Sequence, residues 1–115
     1  MRVVLMALML AAFAGCINLQ SVTRDINEKP RMIEVVSSIV PIDTPVDEAQ
    51  RFMEREGFQC TRETNANFLD REGLDYISCK RVDGFGLVTR QWRIAVVHRD
   101  GKVVEVLAER WLLGP

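Results

Sequence analysis

The chain has 115 residues, 48% of them hydrophobic, with 15 Lys and Arg against 16 Asp and Glu and a formal charge of −1. A near-neutral balance with no block of like charge gives no electrostatic footprint for nucleic acid, and the length suits one core rather than two. With a single His and no C-x-x-C pair among its three Cys, the sequence offers no metal-ligand pattern, and no cofactor or small-molecule substrate is expected.

The first element is an export signal. Arg2 is followed by the apolar run of residues 3–13 and then by Ala14 and Gly15 before Cys16, the charged, apolar and small-residue regions such a signal needs. As a helix, residues 3–15 would span about 20 Å at ~1.5 Å per residue, short of the ~30 Å hydrocarbon core, so a permanent membrane span is not expected. Phe13-Ala14-Gly15-Cys16 resembles the lipobox of bacterial lipoproteins, in which small residues precede a cysteine that is diacylated before cleavage on its amino side. Phe13 stands where that family usually has Leu. The resemblance implies a signal peptide over residues 1–15, lipidation of Cys16, attachment to the membrane through that anchor, and residence in the cell envelope. Ile17 occupies the position where lipoproteins held at an inner membrane often carry Asp, which implies the periplasmic leaflet of the outer membrane if the source has two membranes. An ordinary secretory signal cut nearby is the alternative reading.

Residues 16–30 are rich in Asn, Gln, Ser, Thr and charged side chains and are expected to form the anchor and a tether, leaving residues 31–115 as one domain. Residues 31–42 are mostly β-branched between Pro30 and Pro41, which predicts an edge or cover strand. A helix follows. Thr44 is placed to cap it, Pro45 suits the first helical position, and Asp47 completes a capping-box-like spacing. Val46, Ala49, Phe52 and Met53 share one face, and Gly57 followed by Phe58 predicts a Schellman stop.

Beyond Phe58 the period changes to alternation. Residues 58–62 and 75–82 read as strands carrying Cys60 and Cys79, separated by a polar stretch, 63–74, whose only large apolar pair is Phe68-Leu69. Once Cys16 goes to lipid, Cys60 and Cys79 are an even pair in an oxidising compartment and are expected to form a disulfide. Residues 87–98 form a third strand, Asp100-Gly101 predicts a type I′ hairpin turn, and residues 103–111 return beside it. A regular two-residue turn would set Val97 against Val104, Ala95 against Val106 and Arg93 against Ala108, beneath the helix. Trp92, Ile94 and Leu107, together with Trp111, would then make a second face, a candidate binding face unless residues 31–42 and the tail cover it. The expected fold is α+β, one amphipathic helix packed on an antiparallel sheet of about four strands.

That layout, a lipid-anchored cysteine, a capped helix and a meander ending in the Asp100-Gly101-Lys102-Val103 hairpin, resembles the outer-membrane-assembly lipoprotein BamE (SmpA) family and β-lactamase-inhibitor-like modules. The resemblance is one of layout and carries no binding residue with it. The function expected is therefore a non-catalytic binding or structural module of the envelope, with an envelope protein as partner. The alternative is a proteinaceous inhibitor of a periplasmic or host hydrolase, using the 63–74 loop. His98 beside a hairpin turn reads as a strand residue rather than a catalytic base, and Asp70, Glu72 and Asp75 as a solvated acidic loop rather than a metal site.

Overall fold

The computed structural model describes residues 21–113, apart from residues 25 and 86 and the side chains of residues 85, 88 and 113. The signal segment, Cys16 and the start of the expected tether lie outside the described residues. Two helices, α1 (Lys29–Ile39) and α2 (Val46–Arg55), precede β1 (Gln59–Phe68), β2 (Arg71–Phe85), β3 (Val88–Arg99) and β4 (Lys102–Leu113), and the strands pair antiparallel in chain order. The fold is α+β, helices first and meander second, as the change of period predicts.

Residues 31–42, expected as a strand, instead supply most of α1. Pro30 sits in the first turn, where its missing N–H costs nothing. Met32, Val36 and Val40, four residues apart, are at most 1% exposed, because that spacing stacks them on one face of a helix. Packing of this stripe outweighs the weak strand preference of β-branched side chains, since most helical stability in proteins comes from such burial.

The second helix begins one residue later than the sequence suggests, with Pro45 as its N-cap. Thr44 does not cap it; its hydroxyl donates to the Pro41 carbonyl at 2.6 Å. The Val46 N–H instead reaches the Gly101 carbonyl at 2.9 Å, so the β3–β4 turn satisfies the start of the helix. Its end is a Schellman motif as expected: Gly57 has φ of +92°, its N–H donates to Glu54 O at 3.0 Å, and the Phe58 N–H donates to Met53 O at 3.1 Å.

Asp100 and Gly101 take positive φ of 55° and 77°, the type I′ geometry that Asp-Gly favours. The register starts as expected, with Arg99 against Lys102 and His98 against Val103, but Val97 then faces Glu105 because Val104 is an extra, unpaired residue. A bulge of one residue puts every β4 side chain beyond it on the face opposite to the one an unbulged register would give it. Trp92, Ile94 and Val96 therefore lie with Val103, Val106 and Ala108 in the core beneath the helices. Ala95, Val97 and Val104, expected under the helix, pack on the opposite face.

That opposite face is covered by the sheet itself. Residues 63–74, expected as a loop, continue β1 and β2 to a tight turn at Leu69-Asp70. Phe68 is 1% exposed and meets Tyr76 edge to face at 5.6 Å, with the Arg93 guanidinium 4.8 Å over its ring. Arg71 reaches Glu105 of β4 at 2.9 Å. Since β4 is two strands away from β2, the hairpin must curl over β3 to make that contact.

Candidate functional site

Cys60 and Cys79 occupy directly opposed positions of β1 and β2. Their Sγ atoms stand 3.5 Å apart as free thiols, and closing to the ~2.05 Å of a disulfide asks for a small side-chain rotation. The two thiols differ. Contact with Cys60 and burial push the Cys79 thiol well above its ordinary pKa, whereas the hydrogen bond from Cys79 lowers that of the half-buried Cys60. Cys60 is thus the thiol better able to ionise and attack.

The four residues of the candidate binding face are not brought together. Trp92 and Ile94 are fully buried in one cluster with Met32, Val36 and Val40 of α1, so residues 31–42 cover them, as a helix. Leu107 lies on the other face, opposite Ala95 and partly buried with Phe68 and Tyr76. Trp111, near the end of β4, is 41% exposed. The bulge at Val104 is the cause, because it separates the parity of Leu107 from that of Ile94. Asp70, Glu72 and Asp75 are exposed, and the Asp75 carboxylate is taken up by the Asn65 N–H at 2.9 Å. Among the described residues no group of three His, Cys, Asp or Glu is placed to hold a metal. His98 is half-buried with Nε2 unpartnered, and burial, then the Arg62 charge, hold its imidazole below the ordinary 6.5.

A buried polar hub centred on Arg81 is not anticipated in the sequence. Arg81 donates from Nε and Nη2 to the two oxygens of Asp83 at 2.6 and 2.7 Å. Nη1 donates to Thr23 Oγ1 and to the Glu56 carbonyl, both at 2.7 Å, and Nη2 to the Thr23 carbonyl at 3.1 Å. All five guanidinium N–H groups are used, and the plane stacks on Phe58 at 4.2 Å. The Glu56 carboxylate completes the hub, accepting from Ser21 Oγ at 2.9 Å, the Val22 and Thr23 N–H groups at 3.0 and 3.2 Å, and Thr23 Oγ1 at 2.8 Å. Residues 21–24 and Ile26, expected to belong to the tether, therefore dock as a strap: Thr23 is 0% and Ile26 7% exposed. The folded domain reaches back at least to Ser21 rather than starting at residue 31. A signal existed in the sequence, namely Arg81 and Asp83 two apart in an alternating strand, which places both charges on the inward face.

A shallow apolar groove of about 540 Å³ lies between the end of α1 and β4. Val40, Pro41 and Ile42 form one wall and residues 103–106 the other, with Ile42 69% exposed. The nearby edge of β4 is occupied by the connector: the Val103 N–H donates to Thr44 O at 2.9 Å, and Val103 O accepts from the Asp43 N–H at 2.8 Å.

Comparison with protein-family models, curated proteins and solved structures gives no match. The arrangement itself offers three things: a thiol pair able to close into one disulfide, a strap fixed by a saturated arginine, and an exposed apolar groove. No helix among the described residues is long and apolar enough to cross a membrane.

Proposed function

We propose that the chain is a small lipid-anchored protein of the cell envelope, attached through Cys16, that acts by contact rather than by catalysis. The observation that carries this reading is the facing of Cys60 and Cys79, whose Sγ atoms are 3.5 Å apart. Such a pair is what an oxidising compartment converts to a disulfide, and it accords with a chain whose first residues read as an export signal. The groove beside Ile42 supplies an exposed apolar surface for an envelope protein partner.

Labelling cells with a fatty-acid analogue tests the anchor: wild-type protein takes up label and Cys16→Ser does not. Trapping of unreduced protein with an alkylating reagent should find neither Cys60 nor Cys79 free. A photo-crosslinking residue at position 42 should capture membrane-associated protein. An unlabelled wild-type chain with two alkylatable thiols overturns the reading.

One observation favours an inhibitor as the second reading. The β1–β2 tip is held stiffly by Phe68, by the Tyr76 hydroxyl donating to Asn67 O at 2.9 Å and by the Arg71–Glu105 pair. It presents Leu69, 45% exposed, at φ +55°. Crosslinking from position 69 would then capture a single hydrolase, whereas the first reading predicts capture from position 42.

A further inference from the structure

Seven large apolar side chains are exposed among the described residues, and five of them, Val22, Val82, Leu87, Trp111 and Leu112, stand at one end of the sheet. Leu87, 79% exposed, lies in the β2–β3 turn. Val82 and Trp111 flank Gln91 in one cross-strand row, and Leu112 faces Arg90 in the next row toward the turn. Val22, 59% exposed, is on the strap that Glu56 and Arg81 hold at the same end. The other two, Ile42 and Leu69, are at the opposite end, beside the β3–β4 turn and on the β1–β2 tip.

The strap also fixes where Cys16 can be. Five residue steps separate Cys16 from the docked Ser21, and at about 3.5 Å per residue the chain between them reaches at most roughly 17 Å. Arg24, its side chain 52% exposed and paired with Asp83 at 3.4 Å, and the exposed Arg110, which donates to the Asn27 carbonyl, stand at this end with the half-buried Arg90, whose Nε has no partner.

We propose that this end of the sheet rests on the lipid bilayer, with Leu87, Trp111 and Leu112 in the interfacial zone and Arg24, Arg90 and Arg110 among the headgroup phosphates. The proposal deepens the lipid-anchor reading and rests on it for its choice of occupant. Exposed apolar side chains gathered on both faces at one end of a sheet, beside arginines, mark an interaction site. Tryptophan suits the boundary between hydrocarbon and headgroup, and guanidinium groups bind phosphate. A short leash from an acylated cysteine holds the patch against the membrane, adding a second attachment to the acyl chains. The strands then stand away from the surface, and ten residues of β3 at ~3.3 Å each raise the Ile42 groove by about 30 Å.

Full-length protein purified from membranes with its native amino terminus is placed in vesicles of phosphatidylcholine and phosphatidylglycerol carrying brominated acyl chains. Of its two tryptophans, Trp92 is 0% exposed and serves as an internal reference. Bromine should quench the Trp111 emission and spare that of Trp92, and Trp111→Phe should abolish the quenchable fraction. Leu87→Asp, in an exposed turn, should reduce quenching severalfold with the circular dichroism spectrum unchanged. Unquenched Trp111 in vesicle-bound protein overturns the proposal. The intact mass of the amino-terminal peptide is read on the same sample. An acylated chain with Trp111 unquenched sinks the bilayer contact and leaves the anchor standing. An unacylated chain sinks the anchor, and quenching of its Trp111 on added vesicles still supports the surface, whereas absence of quenching rejects both.

Discussion

Arg81 and Asp83, two positions apart on β2, meet through two parallel hydrogen bonds of 2.6 and 2.7 Å with both side chains at most 4% exposed. A strand's period of two puts them on the same, inward face. A buried ion pair by itself is weak support for stability, but losing one partner strands the other charge in the interior. Removing Arg81 would also take away its bonds to Thr23 of the strap and leave Asp83 with Arg24 Nη1, 3.4 Å away.

Arg81→Met is accordingly expected to cost about 3 kcal/mol, the low end of the usual penalty for breaking a buried ion pair, because Arg24 remains 3.4 Å from Asp83. Arg81→Met combined with Asp83→Leu should recover part of that loss. Urea unfolding of the single and double variants measures both values. In the single variant trypsin should also cut at Arg24 in otherwise folded protein, because the strap loses its bonds to Nη1 and Nη2.

Trp92→Ala is expected to cost roughly 3–5 kcal/mol, as large-to-small changes in a packed core do. Trp111→Ala, on a half-exposed residue, should change the thermal midpoint far less. Similar losses for the two would contradict the division of tryptophans between core and surface.

In reduced protein Cys60 should alkylate before Cys79, because the hydrogen bond from Cys79 lowers its pKa while contact with Cys60 and burial raise that of Cys79. Mass spectrometry of partially modified protein gives the order. Oxidation of the pair should raise stability by on the order of 3 kcal/mol in the chain-entropy account, read as a difference in denaturation midpoint with and without reductant.

His98 sets a pH dependence of definite sign. Burial and then Arg62 hold its imidazole below 6.5, with Asp75 opposing, so the fold favours the neutral ring. Above pH 6.5 both states carry that form and the contribution is complete. As pH falls below 6.5 the unfolded chain takes up a proton that the folded chain resists, and stability declines until the lowered folded pKa is passed. The urea midpoint should therefore drop between pH 7 and 5.5, and His98→Gln should flatten that slope. An identical slope in the variant would remove His98 as its source. The depressed carboxyl of Asp47, beside Arg62, acts in a lower, carboxylate range and does not overlap this window.

The parts of the fold written in local chemistry were legible in the sequence. Gly57-Phe58 announces the Schellman stop, Asp100-Gly101 the type I′ turn, and the change of period the order of helix and sheet. The misreadings share a cause, which is competition from groups distant in the chain. The β-branched residues of 31–42 look like a strand until Trp92 and Ile94 are there to receive Met32 and Val36. Thr44 looks like a cap until Gly101 supplies the carbonyl. Phe68-Leu69 looks like a loop pair until Tyr76 and Ala95 bury Phe68. That Cys60 and Cys79 would stand on neighbouring strands was legible in the alternation around them, whereas the Arg81 hub depends on Thr23 docking from 58 residues away.

Val104 makes the sheet's two sides a matter of reading frame. If Val104 paired with Val97 instead of bulging, every β4 side chain from Glu105 onward would be offered to the wrong layer. Glu105, Leu107 and Glu109 would then compete for the space under α1 now filled by Val106 and Ala108. Deleting Val104 should therefore keep the frame, since Glu105 would follow Val103 and still face Val97, whereas a residue inserted between Glu105 and Val106 should lower the thermal midpoint sharply by turning Val106 and Ala108 out of the core.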